Sequence, residues 1–111
     1  MDDCVFCKII QGAIPSKRYF EDEDMIVIKD LEPKAKEHYL CIPKVHFALL
    51  SEMDGEKSEI LRRCFTKIPT LQEKLGLSGG YRVIINQGDD AGQTVHHLHI
   101  HLLGGEKLPD F

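Results

Sequence analysis

Four of the chain's six histidines fall in one short run, HHLHIH, from His96 to His101. Within it His97, His99 and His101 alternate with Leu98, Ile100 and Leu102. Imidazole can ligate a metal, carry a proton or attack an electrophile near neutral pH. On an extended strand, residues two apart share a face at a spacing of roughly 6.5–7 Å. The outer two histidines then stand roughly 13 Å apart, while a tetrahedral ion holds its ligands at about 2.0–2.3 Å. Three in-line histidines are therefore not one metal site. They divide a task between them or line a polar groove. A solvated strand face is the bland alternative, although Thr, Lys or Glu would serve there equally well. His96 points with the core side or begins the strand, and no chemistry is assigned to it.

The loop just before this run, QGDDAGQT (Gln87–Thr94), carries Gly88, Ala91 and Gly92. Small residues there leave backbone amides open, and such amides can form a concave anion site. Gln93, Thr94 and Asn86 add side-chain donors. Imidazoles beside an anion cradle point to phosphorus chemistry, with a nucleophile or acid at one end and held oxygens at the other.

A second group sits at the other end of the chain. Cys4-Val5-Phe6-Cys7 is a CxxC at a predicted helix start. A dithiol would use the helix terminus to lower one thiol pKa. A zinc half-site would use the same spacing and take two further ligands from elsewhere. No strand precedes Cys4, which removes the usual context of a redox domain, and His38 and His46 are available as partners. Spacing favours zinc; two free buried thiols remain the plain alternative. Cys41 and Cys64 read as small core residues.

The elements that must position these groups follow from pattern. Asp2 or Asp3 can cap a short helix whose apolar face is Val5, Phe6, Ile9 and Ile10. Gly12 ends it. Residues 18–21 and 25–29 read as strands joined by the turn EDED, the second apolar on both faces. Residues 30–37 are a loop, and 38–43 a strand with His38, Leu40 and Ile42 on one face. From Asp54 to Leu77 the apolar residues recur at helical spacing. Pro69 lies inside and should bend or break that helix. Residues 81–86 and the histidine run give two more strands. The order predicts one α+β domain spanning 1–111, an antiparallel sheet of five strands with a short N-terminal helix and one long helix, the helices on one side.

Composition limits the function. The chain has 111 residues, 42 % of them hydrophobic, and a net charge of −4. With a pI near 5.8 and no basic run it lacks the cationic surface that nucleic-acid binding needs. Single nucleotides need only a few amides and side chains. No stretch approaches the roughly 20 apolar residues of a membrane span. The acidic N-terminus is unlike a signal peptide, and four cysteines without a secretory context suggest metal or free thiols. The cytoplasm is the predicted location.

From Cys4 to Gly105 the chain resembles the histidine triad (HIT) family, within it the small nucleoside phosphoramidase branch, in its zinc-containing bacterial form. CVFCKIIQGAIPSK, KDLEPKAKEHYLCIPKVH and GYRVIINQGDDAGQTVHHLHIHLLGG carry the likeness. The resemblance implies a purine nucleoside 5′-phosphoramidate hydrolase acting at the α-phosphorus through a nucleotidyl-histidine. In that reading His99 is the nucleophile, His101 meets the phosphate and leaving group, and His38 joins their network. Asn86, Gly92, Gln93 and Thr94 match phosphate-contacting positions, and Asp30 the acid at the ribose hydroxyls. Val5, Phe6, Ile9, Ile14, Ile28 and Leu31 match the apolar purine slot.

The resemblance also implies a closed, structural zinc site made by Cys4, Cys7, His46 and His97. It implies a homodimer joined through the long helix and fourth strand, with an AMP- or GMP-type partner. Two departures stand out: the chain has no Trp and ends GGEKLPDF, and Pro69 interrupts the long helix. Hydrolysis of dinucleoside polyphosphates, nucleotidyl transfer and a non-catalytic zinc-stabilised nucleotide-binding protein are the alternatives.

Overall fold

The structure is a computed structural model that describes residues 3–111. Its helices are α1 (Val5–Ile10) and α2 (Gly55–Leu71). Its strands are β1 (Phe20–Glu21), β2 (Met25–Lys29), β3 (Glu37–Pro43), β4 (Tyr81–Ile84) and β5 (Ile100–Gly104). They form one antiparallel sheet in the order β1-β2-β3-β5-β4. The α+β class and the strand count agree with the sequence pattern.

The helices do not share one side of the sheet, as the pattern predicts. Met25, Val27, Tyr39 and Cys41 pack with Leu61, Cys64, Ile68 and Leu71 of α2. Their strand neighbours Ile26, Ile28, Leu40 and Ile42 pack with Phe6 and Ile9 of α1. Alternate residues point to opposite faces, so the helices cover opposite faces. A central strand apolar on both sides requires this: β2 is buried from Met25 to Ile28. Leu98, Ile100 and Leu102 join the α2 side. Burying each such side chain is worth about 1.5–3 kcal/mol.

Element ends differ from the sequence reading. The cap of α1 is Cys4, whose Sγ accepts from the Cys7 N–H, rather than Asp3; Asp2 lies outside the described residues. Asp54 caps α2 through the Lys57 N–H at 2.9 Å. The helix stops at Leu71 instead of Leu77, two residues beyond Pro69, which occupies its last turn. There Pro69 removes one bond of the ladder, that to the Phe65 carbonyl, and the helix runs only two residues further. β1 and β4 are shorter than predicted. β5 starts only at Ile100, so His97, at the end of a bend, and His99 lie on an irregular lead-in outside the ladder. Leu98 N–H leaves the sheet to bond the Phe47 carbonyl at 2.6 Å.

Candidate active site

The histidine run keeps its alternation although half of it precedes the strand. Leu98, Ile100 and Leu102 anchor one side in the α2 core. His97, His99 and His101 are thereby held on the other side, where α1 lies. Phe6 of α1 meets two of them edge to face, His97 at 5.9 Å and His99 at 5.0 Å between ring centres.

His97 goes one way. Its Nε2–H donates to the Pro43 carbonyl at 2.8 Å, so the lone pair is on Nδ1. That Nδ1 lies 3.1 Å from Nδ1 of His46, 3.4 Å from Sγ of Cys4 and 3.6 Å from Sγ of Cys7. Cys7 Sγ is 3.2 Å from His46 Nδ1. Ligands about 2.0–2.3 Å from one tetrahedral ion lie about 3.3–3.8 Å from each other, so this set fits a small metal ion. The carbonyl on the far nitrogen of His97 is the outer partner a metal-bound imidazole needs. Burial, together with the hydrogen bond to Cys4, pushes the Cys7 thiol up to about 11. A thioredoxin-like dithiol needs the opposite shift.

His99 and His101 go the other way. His99 Nδ1–H donates to the His97 carbonyl at 2.7 Å, which leaves Nε2 with a free lone pair. His38, on β3, accepts the Lys34 backbone N–H on Nδ1 at 3.0 Å, so its proton sits on Nε2. That Nε2–H faces His101 Nδ1 at 2.9 Å. His101 must then carry its own proton on Nε2, and this buried atom has no partner among the described residues. A chain of fixed tautomers thus ends in an unused donor beside an unprotonated nitrogen. The two rings, His99 and His101, are 5.0 Å apart. Burial, with His99 and His38 adding to it, pulls His101 down to about 4, so it is neutral at pH 7. Burial likewise lowers His38.

These groups open on a cleft of about 920 Å³. Its apolar wall includes Val5, Phe6 and Ile9 from α1, with Ile14 and Ile28. Its polar end includes Asp30, His38, Asn86, Gly92, Thr94, His99 and His101. Leu31 lies at the rim and is 96 % exposed. One predicted contact is missing: Gln93 is buried and binds the Gly88 N–H and the Ala48 carbonyl, so it braces the loop rather than facing the cleft. Three of the loop amides are not open either. Those of Ala91, Gly92 and Gln93 donate to carbonyls within the loop. His96 is exposed and outside the cleft, near Cys4 and His46.

A protein-family model described as "Scavenger mRNA decapping enzyme C-term binding" matches residues 3–109. Protein HitA of Neisseria gonorrhoeae is 42 % identical over 94 % of this chain and 97 % of its own length. The chain belongs to the histidine triad (HIT) family. A solved HIT family hydrolase from Clostridium thermocellum is 46 % identical, with a TM-score of 0.93 over 100 % of this chain and 97 % of that one. A Zn-bound histidine triad family protein from Mycobacterium smegmatis is 34 % identical, with a TM-score of 0.79 over 95 % of this chain and 76 % of that one. The HIT signature of alternating histidines is thus split here between two neighbouring clusters.

Three contributors to the site are silent in the sequence. The Lys34 amide and the carbonyls of Pro43 and His97 set the tautomers, and backbone groups leave no residue-type signal. Arg18 is the exception that residue type could have suggested. Its guanidinium donates to the carbonyls of Ile9 at 2.6 Å and Ile10 at 3.1 Å, closing the C-terminal end of α1. A basic side chain just after a short helix is a known partner for its last carbonyls.

Proposed function

We propose that the protein hydrolyses purine nucleoside 5′-phosphoramidates, with His99 as nucleophile. The observation that carries this reading is the His99 Nδ1–H···O=C bond to His97, which leaves Nε2 unprotonated at the cleft next to the unpaired Nε2–H of His101. In this reading the base lies on the apolar wall, the ribose reaches Asp30, and the phosphate lies against Thr94, Asn86 and the two histidines.

His99 Nε2 attacks the α-phosphorus as the P–N bond breaks. The Nδ1–H stays on the His97 carbonyl, which stabilises the charge that the ring acquires. His38 orients the His101 ring so that its Nε2–H faces the phosphoryl group and the departing nitrogen, and a proton drawn from solvent makes good the one that the nitrogen takes from His101. The amine leaves with one added proton. Water then attacks phosphorus, loses a proton to solvent, releases the nucleoside monophosphate and restores His99. Dividing one displacement into two is the gain from a covalent intermediate.

The ion that Cys4, Cys7, His46 and His97 would hold is zinc in this reading, since two thiolates and two imidazoles suit it. Four protein ligands leave it no open position, so it supplies folding energy. β4 is one of the two edge strands, and Val83 on it and Phe65 on α2 are exposed, which supports a homodimer joined there. Four free cysteines suit the cytoplasm.

The test is release of AMP from adenosine 5′-phosphoramidate by the wild type beside His99→Ala. Turnover by the wild type alone is expected. Equal turnover by both would remove His99 as nucleophile. Tight AMP binding without any turnover would replace the enzyme with a binding protein.

A further inference from the structure

We propose that Asp30 is the acceptor that allows His101 to hold a second proton, and so makes His101 an acid for amine leaving groups. The inference rests on the hydrolase reading above and adds to Asp30 a task separate from any contact with the sugar.

The argument is a count of donors and acceptors. His38 Nδ1 is occupied by the Lys34 N–H, so His38 always presents Nε2–H toward His101. While His101 is neutral, its Nδ1 accepts that hydrogen. A neutral His101 can share its Nε2–H with a ligand but cannot give it up, because His38 has no spare proton to replace it. To act as an acid, His101 must be protonated on both nitrogens. Two N–H groups then face each other across 2.9 Å. One of them must turn to another acceptor. Asp30 Oδ2 is there, 3.4 Å from His38 Nε2 and 3.9 Å from His101 Nδ1. Its other oxygen, Oδ1, accepts the Glu32 N–H at 2.8 Å and fixes the carboxylate in place.

The electrostatic surroundings agree. Burial, His99, His38 and Lys34 all oppose a charge on His101, and Asp30 favours it. An anionic phosphoryl group against Nε2 adds a second favourable charge, so the proton is taken from solvent as substrate binds. In the step itself the His99 Nε2–P bond forms and the P–N bond breaks. The amine's electron pair takes the Nε2 proton of His101. His101 returns to the neutral form that accepts from His38, and Asp30 is released from its added role. The same three residues lie close enough to suggest a second metal site. His38 Nε2 carries a hydrogen, however, and offers no lone pair.

The experiment uses two 2′,3′-dideoxyadenosine 5′-phosphoryl substrates, which lack the ribose hydroxyls. One has an alkylamine leaving group, which must be protonated. The other has 4-nitrophenolate, which need not be. Asp30→Asn keeps an oxygen for the Glu32 N–H but places an NH₂ against His38, a third donor where an acceptor is needed. We expect kcat to fall about 10²-fold with the amine, on the scale of losing a general acid, and less than about 3-fold with nitrophenolate. In the AMP complex, ring ¹⁵N shifts should show His101 doubly protonated in the wild type and singly protonated in Asp30→Asn. Equal losses with both substrates, or no loss with the amine, would overturn the proposal. So would a singly protonated His101 in the wild-type complex. If the wild type cleaves neither substrate nor the parent ribonucleotide, the hydrolase reading itself fails and takes this step with it.

Discussion

Two histidine clusters lie side by side in this protein, made from the same side chain and joined through one backbone segment. In the first, His46 and His97 bring their Nδ1 atoms to 3.1 Å with two thiols around them. In the second, His38 and His101 approach equally closely, at 2.9 Å, but with a proton between the nitrogens. The difference comes from the backbone behind each ring. A carbonyl behind His97 takes its N–H away from the cluster and leaves a lone pair for an ion. An amide behind His38 occupies its lone pair and turns its N–H into the cluster. An acceptor behind the ring turns a lone pair toward its cluster; a donor behind it turns a hydrogen toward its cluster. His99 stands between the two, oriented by the carbonyl of the residue that belongs to the first and working beside the second.

The comparison predicts separable failures. His99→Ala should lower phosphoramidate hydrolysis by about a thousandfold or more, as for loss of a nucleophile, with metal content unchanged. Steady-state kinetics and elemental analysis on one preparation check both halves. Loss of metal alongside activity would show that the clusters are not separable at His99.

Cys7→Ser should do the converse. It should release the metal and lower Tm by about 10 °C or more, since metal binding is folding free energy worth several kcal/mol. Calorimetry reads this. AMP affinity should weaken too, because α1 carries Val5, Phe6 and Ile9 of the cleft wall. Unchanged AMP affinity would mean that Arg18 and the apolar contacts hold α1 without the ion.

His101→Ala should cost about 10²-fold in kcat with amine leaving groups, in the range of acid–base contributions, and leave metal content intact. Rapid-quench measurement of the first turnover assigns the loss to P–N cleavage rather than to hydrolysis of the intermediate.

The smallest effect is on stability against pH. His101 is held neutral in the fold, its pKa lowered to about 4 chiefly by burial. The unfolded chain binds a proton at the ordinary histidine pKa, roughly 6.5, before the folded one does. Stability from this group is therefore complete above pH 6.5 or so and declines as the pH falls toward 4. His101→Gln should flatten that part of the curve relative to wild type. Denaturant titrations at pH 7 and pH 4.5 compare them, and parallel curves would remove His101 as the titrating group.

Much of the site was legible in the chain. The alternation in HHLHIHLL was read from the two-residue period of a strand, and it survives before the strand begins because Leu98 is anchored in the α2 core with Ile100 and Leu102. The CxxC offered half of a donor set by its spacing, the family resemblance pointed to His46 and His97 as the other half, and only the fold brings the four ligand atoms together. The double apolar pattern of β2 implied burial on both faces. The order of elements, however, was read as helices on one side, and the structure places them on opposite faces.

Tertiary structure decided the rest. Which nitrogen of each imidazole carries hydrogen depends on main-chain groups at Lys34, Pro43 and His97, and the sequence does not record where a carbonyl will point. The Gly-rich loop looked like an anion cradle by composition, but its fold spends the amides of Ala91, Gly92 and Gln93 on itself. Residue type therefore determined that imidazoles and thiols would be present and on one face. Only three-dimensional packing, by placing a donor or an acceptor behind each ring, determined that His97 turns a lone pair toward the thiols and that His38 and His101 share a hydrogen.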